Sequence, residues 1–183
     1  MTNNKFFNVK SMAVGSIIAA LYVALGLTFG FISFGPHQVR VAELLIILPL
    51  FTPAAIPGLY IGCLITNAVG VSTGMSPLGW WDIVFGPLAS LAAAICTHYI
   101  GKSIRNKDGK IRAIVTVFAT LPAVVFNAIV VGFMLSLVFT DNTLFWFISS
   151  VAIGQLIAAT VGGSLLAFGI MATKTDKFLS FQK

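Results

Sequence analysis

Charge is scarce in this chain of 183 residues: Lys and Arg total 11, Asp and Glu total 5, and together they make up 9%. Soluble domains carry about 25%, and so few charges cannot cover a water-facing surface of this size. The scarcity excludes a soluble globular enzyme, a disordered tail, a coiled coil and a DNA-binding module. The net charge of +6 would otherwise suit nucleic acid. Cysteine is equally sparse. Cys63 and Cys96 lie inside apolar runs, so they read as membrane thiols and not as a disulfide. Neither they nor His37 and His98 have metal-ligand spacing, and no metal site is expected. Nucleotide-hydrolysis and nucleophile motifs are missing too. Gly101-Lys102-Ser103 resembles the end of a phosphate-binding loop, but the glycine required five residues earlier is Cys96. A basic cap on a helix end explains that tripeptide better. Enzyme sites normally gather several titratable groups, so catalysis is not expected.

Apolar residues fill the space instead: 58% of the chain, with a mean hydropathy of +1.00. A membrane span needs about 20 apolar residues. Five stretches qualify on sight, at residues 12–32, 41–69, 82–100, 113–139 and 144–172. The first has no small-residue cleavage site and reads as a retained span. The second contains Pro49, Pro53, Pro57 and Gly58, and prolines end or kink helices. It is one broken span or a hairpin of two helices. Loop charge separates these readings. Lys102, Arg105, Lys107, Lys110 and Arg112 share one loop, with more lysines at both ends of the chain. Only an even number of crossings puts all of these on the cytoplasmic side, as the positive-inside rule asks. The expected fold is therefore an all-α integral membrane protein in a single domain, 1–183. It is a bundle of six transmembrane helices at about 12–32, 40–51, 54–70, 82–101, 113–139 and 144–172, with cytoplasmic N- and C-termini.

Polar groups at membrane depth are costly and face a cavity or a partner. They are Glu43, Asn67, Asp82, Asn127 and Gln155. On the six-helix topology all five fall in the outer half or at the centre, which suggests a solute pocket open to the outside. Competing readings stand beside that one. Glu43 and Asp82 begin helices, where a carboxylate satisfies free N–H groups. Arg40, three residues before Glu43, is placed for a local pair. Asn67 and Gln155 suit interhelical hydrogen bonds, each worth about 0.6 kcal/mol. Trp80 and Trp81 suit an interfacial belt or a stacking platform. On helix 1, Ser16, Ala20 and Ala24 form a small-residue stripe at four-residue spacing, with Gly26 and Gly30 on a neighbouring face. Such stripes let helices approach closely in lipid.

Arg40-Val41-Ala42-Glu43-Leu44, the run Pro49-Leu50-Phe51-Thr52-Pro53-Ala54-Ala55-Ile56-Pro57-Gly58 and Trp81-Asp82-Ile83-Val84-Phe85-Gly86 carry a likeness. They resemble the S components of energy-coupling factor (ECF) transporters, and among them the QueT group. The resemblance covers nearly the whole chain. It implies a substrate-binding subunit of the prokaryotic plasma membrane for queuosine precursors, which are 7-deazaguanines. It implies partners: a transmembrane scaffold (T) subunit, two ATPase subunits that use ATP, and the lipid bilayer, with no cofactor on this chain. The Ala20–Ala24 spacing matches the family's docking pattern and makes Ser16, Ala20 and Ala24 candidate partner contacts. The expected substrate-binding residues are Glu43, Arg40, Asn67, Trp81, Asp82, Asn127 and Gln155. Glu43 would accept from the ring N–H and exocyclic amine, Arg40 would orient Glu43, and Asp82 would pair an aminomethyl cation. Two other readings fit the same features: an S component for another vitamin or metabolite, or a solitary secondary transporter.

Overall fold

The computed structural model describes residues 9–35, 38–104, 109–173 and 175. Every regular element among them is helical. In chain order these are α1 (Val9–Thr28), the single turn α2 (Gly30–Ser33), a 3-10 helix (Val41–Leu50), α3 (Ala55–Ser72), α4 (Trp80–Ile104), α5 (Gly109–Phe118), α6 (Leu121–Val138) and α7 (Leu144–Gln155). A π-helical segment (Leu156–Gly162) then runs directly into α8 (Gly163–Ala172). Five rods are long and apolar enough to cross a membrane: Val9–Thr28, Ala55–Ser72, Trp80–Ile104, Gly109–Val138 and Leu144–Ala172. Their outward faces are apolar as well; Ile17, Ile65, Val125, Ile129, Phe133 and Leu165 are all exposed. Water would penalise such a surface, and lipid does not. The chain is thus a multi-pass membrane bundle.

The expected second helix differs in kind from the reading of the sequence. Val41–Leu50 is wound as a 3-10 helix with Pro49 inside it, and eight of its ten residues are buried. At ~2.0 Å per residue it is ~20 Å long, against ~30 Å of hydrocarbon. It is therefore the axle of the bundle and not a sixth lipid-facing rod, packed by α1, α4, α8 and the π segment. Around it α1 packs on α3, α3 on α4, α4 on α6 and α6 on α7. The expected helix at 113–139 is broken at Ala119–Thr120, ahead of Pro122 in the first turn of α6. Proline removes an N–H donor and disfavours a continuous helix. The expected charged loop residues Arg105 and Lys107, with Lys5, His37, Lys174, Lys177 and Lys183, lie outside the described residues.

Glycines set the closest approach. A Cβ on Gly58 would lie 2.5 Å from the carbonyl oxygen of Gly15, so α1 and α3 touch backbone to backbone there. A Cβ on Gly101 would lie 2.6 Å from the Leu50 carbonyl oxygen, which levels the far end of the axle with the last turns of α4. The two ends of the bundle are named below for Trp80 and Lys102, which sit at opposite ends of α4.

Candidate functional site

Two apolar clusters bracket the middle of the bundle. The one toward the Lys102 end contains Ile46, Ala93, Ala94, Ala123 and Ala159. The one toward the Trp80 end contains Leu78, Val131, Leu135, Phe147 and Val151. One helical turn from the first cluster, toward Trp80, stand Glu43, Ser90, Asn127 and Gln155. Asn127 lies four residues from both Ala123 and Val131, and Gln155 four from both Ala159 and Val151. Residues four apart share a helix face, so these four form a polar layer between the two clusters. Glu43, Ser90, Asn127 and Gln155 are all fully buried.

The layer is only partly satisfied. Glu43 Oε1 accepts from the Tyr22 hydroxyl at 2.6 Å and from the Ser90 hydroxyl at 2.7 Å. Glu43 Oε2 has no partner, and neither have Asn127 Oδ1, both polar atoms of Gln155, or Gln38 Nε2. Asn127 Nδ2 is used on its own helix, donating to the Ala123 carbonyl at 3.1 Å. Gln38 belongs to the layer by its backbone: a Cβ on Gly154 would collide with the Gln38 carbonyl oxygen. Buried polar groups are normally hydrogen-bonded, and leaving one unmade costs about 1–3 kcal/mol. Glu43, Asn127, Gln155 and Gln38 thus keep hydrogen-bonding capacity that the protein itself does not use. Ser164 Oγ, on α8, is also without a partner.

Toward the Trp80 end lies a second polar cluster, in which Arg40, Asn67, Ser76 and Asp82 are joined to one another. Arg40 Nη2 meets Asp82 Oδ1 at 2.7 Å. Arg40 Nε donates to Gln38 Oε1 at 3.0 Å. Asn67 Nδ2 donates to the Asp82 carbonyl at 2.8 Å, and Ser76 Oγ donates to Asp82 Oδ2 at 2.8 Å. Gly86 makes room for the cluster, since a Cβ there would collide with Asn67 Nδ2 and come within 3.0 Å of Asp82 Oδ1. This geometry corrects two expectations. Arg40 does not pair with Glu43, because its carboxylate partner among the described residues is Asp82, 42 positions away in sequence. Asp82 is neither a backbone cap nor free for a ligand cation, because both its oxygens are already engaged by Arg40, Asn67 and Ser76. Trp81 is corrected as well. It is exposed and stacks on Trp80 at 4.1 Å and on Phe85 at 5.5 Å between ring centroids. That is the arrangement of an interfacial belt.

The pocket is not the open cup expected from the sequence. Gln38, Glu43, Asn127 and Gln155 expose no surface, and the cavity beside Arg40 and Asn67 measures only about 10 Å³. Among the described residues no three His, Cys, Asp or Glu side chains gather as metal ligands. Tyr22, Ser90, Ser76 and Gln38 are the site residues that sequence reasoning missed. Gln38 sits in the loop-like run Gly35-Pro36-His37-Gln38-Val39-Arg40, where an amide carries no signal of its own.

A family model described as QueT transporter matches residues 12–172. The chain belongs to the QueT transporter family. The family is described as one of transporters, and the buried layer offers hydrogen-bonding capacity. A relative from Lactococcus lactis subsp. cremoris (strain MG1363), described as "Queuosine precursor transporter QueT", is 36% identical over 93 residues. That match covers 50% of this chain and 49% of the relative, so the chain spans about half the length of the curated relative it matches. No solved structure matches.

On the outside of the bundle, Ser16, Ala20 and Ala24 are exposed and line a groove of about 710 Å³ between α1 and α3, floored by Gly15 and Gly58. The stripe expected from spacing is thus a continuous lipid-facing trough.

Proposed function

We propose that this chain is the substrate-binding S component of an ECF-type importer in the cell membrane, and that it captures a queuosine precursor of the 7-deazaguanine class. The observation that carries the reading is the buried set of unpartnered atoms. Glu43 Oε2, Asn127 Oδ1 and Gln155 Oε1 are acceptors, while Gln38 Nε2 and Gln155 Nε2 are donors. A guanine-like edge offers adjacent N–H donors and a carbonyl acceptor, so such a ring complements the set. Oε1 of Glu43 already holds two hydroxyls, so the carboxylate offers the ring one oxygen and the amides supply the rest. The Arg40–Asp82–Asn67 cluster then fixes the residue 38–40 strap and, through it, Gln38.

Six crossings with both ends cytoplasmic place the Trp80 end outside, and solute enters from there. The 3-10 axle counts as the short second crossing. The trough of Ser16, Ala20 and Ala24 docks the scaffold subunit, whose two ATPase partners hydrolyse ATP while this chain topples to release its cargo inward. The absence of a motor motif in the chain supports that division of labour.

Calorimetric titration of the purified protein with 7-deazaguanines tests the reading. Binding is expected, together with a rise in melting temperature by mass action. Gln155→Leu, which removes one donor and one acceptor, is expected to weaken binding at least tenfold. Failure of the wild-type protein to bind any 7-deazaguanine would overturn the substrate assignment. Uptake by the chain reconstituted alone, driven by an ion gradient, would overturn the ECF assignment.

A further inference from the structure

On the outside of the bundle, the corner where α4 ends and α5 begins combines exposed cations with exposed apolar rows. α5 and α6 together form a rod of 30 residues, ~45 Å long at 1.5 Å per residue, against ~30 Å of hydrocarbon. α6 alone, with 18 residues, covers ~27 Å. The break between the two is tied to α4, where Thr97 Oγ1 donates to the Ala119 carbonyl at 2.8 Å. Beyond the break, Val115 joins Ile100 and Ile104 in one apolar cluster. α5 therefore stands at headgroup depth, level with the last turns of α4. It is thinly covered there: of its ten residues only Thr116 is buried. Lys110, Ile114 and Phe118 recur every four residues, with Ile111 beside them, and all four are exposed. On α4, Ile95, Tyr99 and Lys102 are three or four apart and exposed as well. Lys102 Nζ lies 5.9 Å from the centroid of the Tyr99 ring. Residues at these spacings share a helix face, so each row runs from apolar side chains to a lysine at the Lys102 end.

The chain supplies little negative charge to answer these lysines. Of its acidic residues, Glu43 and Asp82 are buried in the bundle and Asp141 lies in the loop before α7. Asp108 and Asp176 lie outside the described residues. Residues 102–112 hold five basic side chains against the one acidic Asp108. We propose that this corner is a binding site for an anionic phospholipid: Lys102 and Lys110 hold the headgroup phosphate, and an acyl chain lies along Ile111, Ile114 and Phe118. A helix at headgroup depth with one apolar row and a basic end gains from both parts of such a lipid. A zwitterionic headgroup brings its own cation and gains much less. Each lysine near an anionic headgroup strengthens binding about fivefold, so two give ~30-fold. Ordering two long side chains offsets part of that gain, which leaves a preference of about tenfold. The corner lies on α4 and α5, apart from the polar layer and from the trough between α1 and α3, so it stands or falls independently of the substrate.

Native mass spectrometry of the full-length protein, titrated in detergent with dioleoyl-phosphatidylglycerol or dioleoyl-phosphatidylcholine, decides the question. The wild type is expected to retain phosphatidylglycerol about tenfold more tightly. Lys102→Gln combined with Lys110→Gln is expected to bring the two lipids within about threefold of each other. Lys10→Gln, which removes a cation from α1 at the same end of the bundle, is expected to leave the preference intact. Equal wild-type affinities would overturn the proposal, as would a preference that survives the double variant. Loss of the preference in Lys10→Gln to the same degree would also overturn it, because the attraction would then belong to the charge of the whole end and not to this corner. Inorganic phosphate in large excess is expected not to displace the lipid. Displacement would overturn the part played by the apolar row and leave a site for the phosphate group alone. Should the double variant not fold, the wild-type ratio and the phosphate competition still decide.

Discussion

Asp82 and Arg40 are each buried and each held by the other. Removing one partner of such a pair leaves an uncompensated charge and costs about 3–5 kcal/mol, whereas replacing both with neutral groups is far milder. Asp82→Asn is therefore expected to lower the melting temperature of the detergent-solubilised protein sharply. Combining it with Arg40→Gln should recover much of the loss, a coupling that a double-mutant cycle measures. A single variant as stable as the wild type would mean that the pair is solvated. The cost of placing Glu43, Asn67, Asp82, Asn127 and Gln155 in apolar runs made each legible in the sequence as a group with a task. Which partner each one takes was not legible. Pairing across 42 positions depends on how α4 lies against the residue 38–40 strap, and local spacing favoured the wrong neighbour, Glu43. Tyr22 and Ser90 escaped notice because hydroxyls are tolerated in membrane helices without any ligand.

At the level of elements, the apolar segments read from hydropathy correspond to helices within a few residues. Their winding did not follow from the sequence. An all-apolar segment such as Val41–Leu50 has no polar face whose period would separate 3-10 from α, and nothing in Leu156–Gly162 announces a π-helix. These two irregular stretches face each other: a Cβ on Gly162 would lie 3.2 Å from Cβ of Leu44. They also flank Glu43 and Gln155, where π segments commonly occur at functional sites. The contact between α1 and α3 gives a direct test of packing. Gly58→Ala puts a Cβ 2.5 Å from a backbone oxygen that cannot step aside. It is expected to destabilise by about 1–3 kcal/mol, visible as a lower melting temperature. Ala20→Trp fills the exposed trough instead. On the ECF reading proposed above, it is expected to leave ligand titrations unchanged while abolishing ATP-driven uptake with the proposed partner subunits, and unimpaired uptake would remove the trough from the proposed docking surface.

For the molecule as a whole, membrane residence followed from composition, and the loop charges give the expected direction of the bundle. Asp141→Cys, in the loop before α7, is expected to react with a membrane-impermeant maleimide applied outside intact cells. Lys110→Cys is expected to react only after permeabilisation, and the reverse pattern would invert the bundle. The same asymmetry bears on how far the protein can swing. Lys10, Lys102 and Lys110 are exposed and Arg112 is half-buried, all at the Lys102 end. Submerging any one of them at the bilayer centre costs about 2.5–3.5 kcal/mol. For the toppling proposed above, these four cations would work as a keel: the hull could roll only as far as the ballast stays wet.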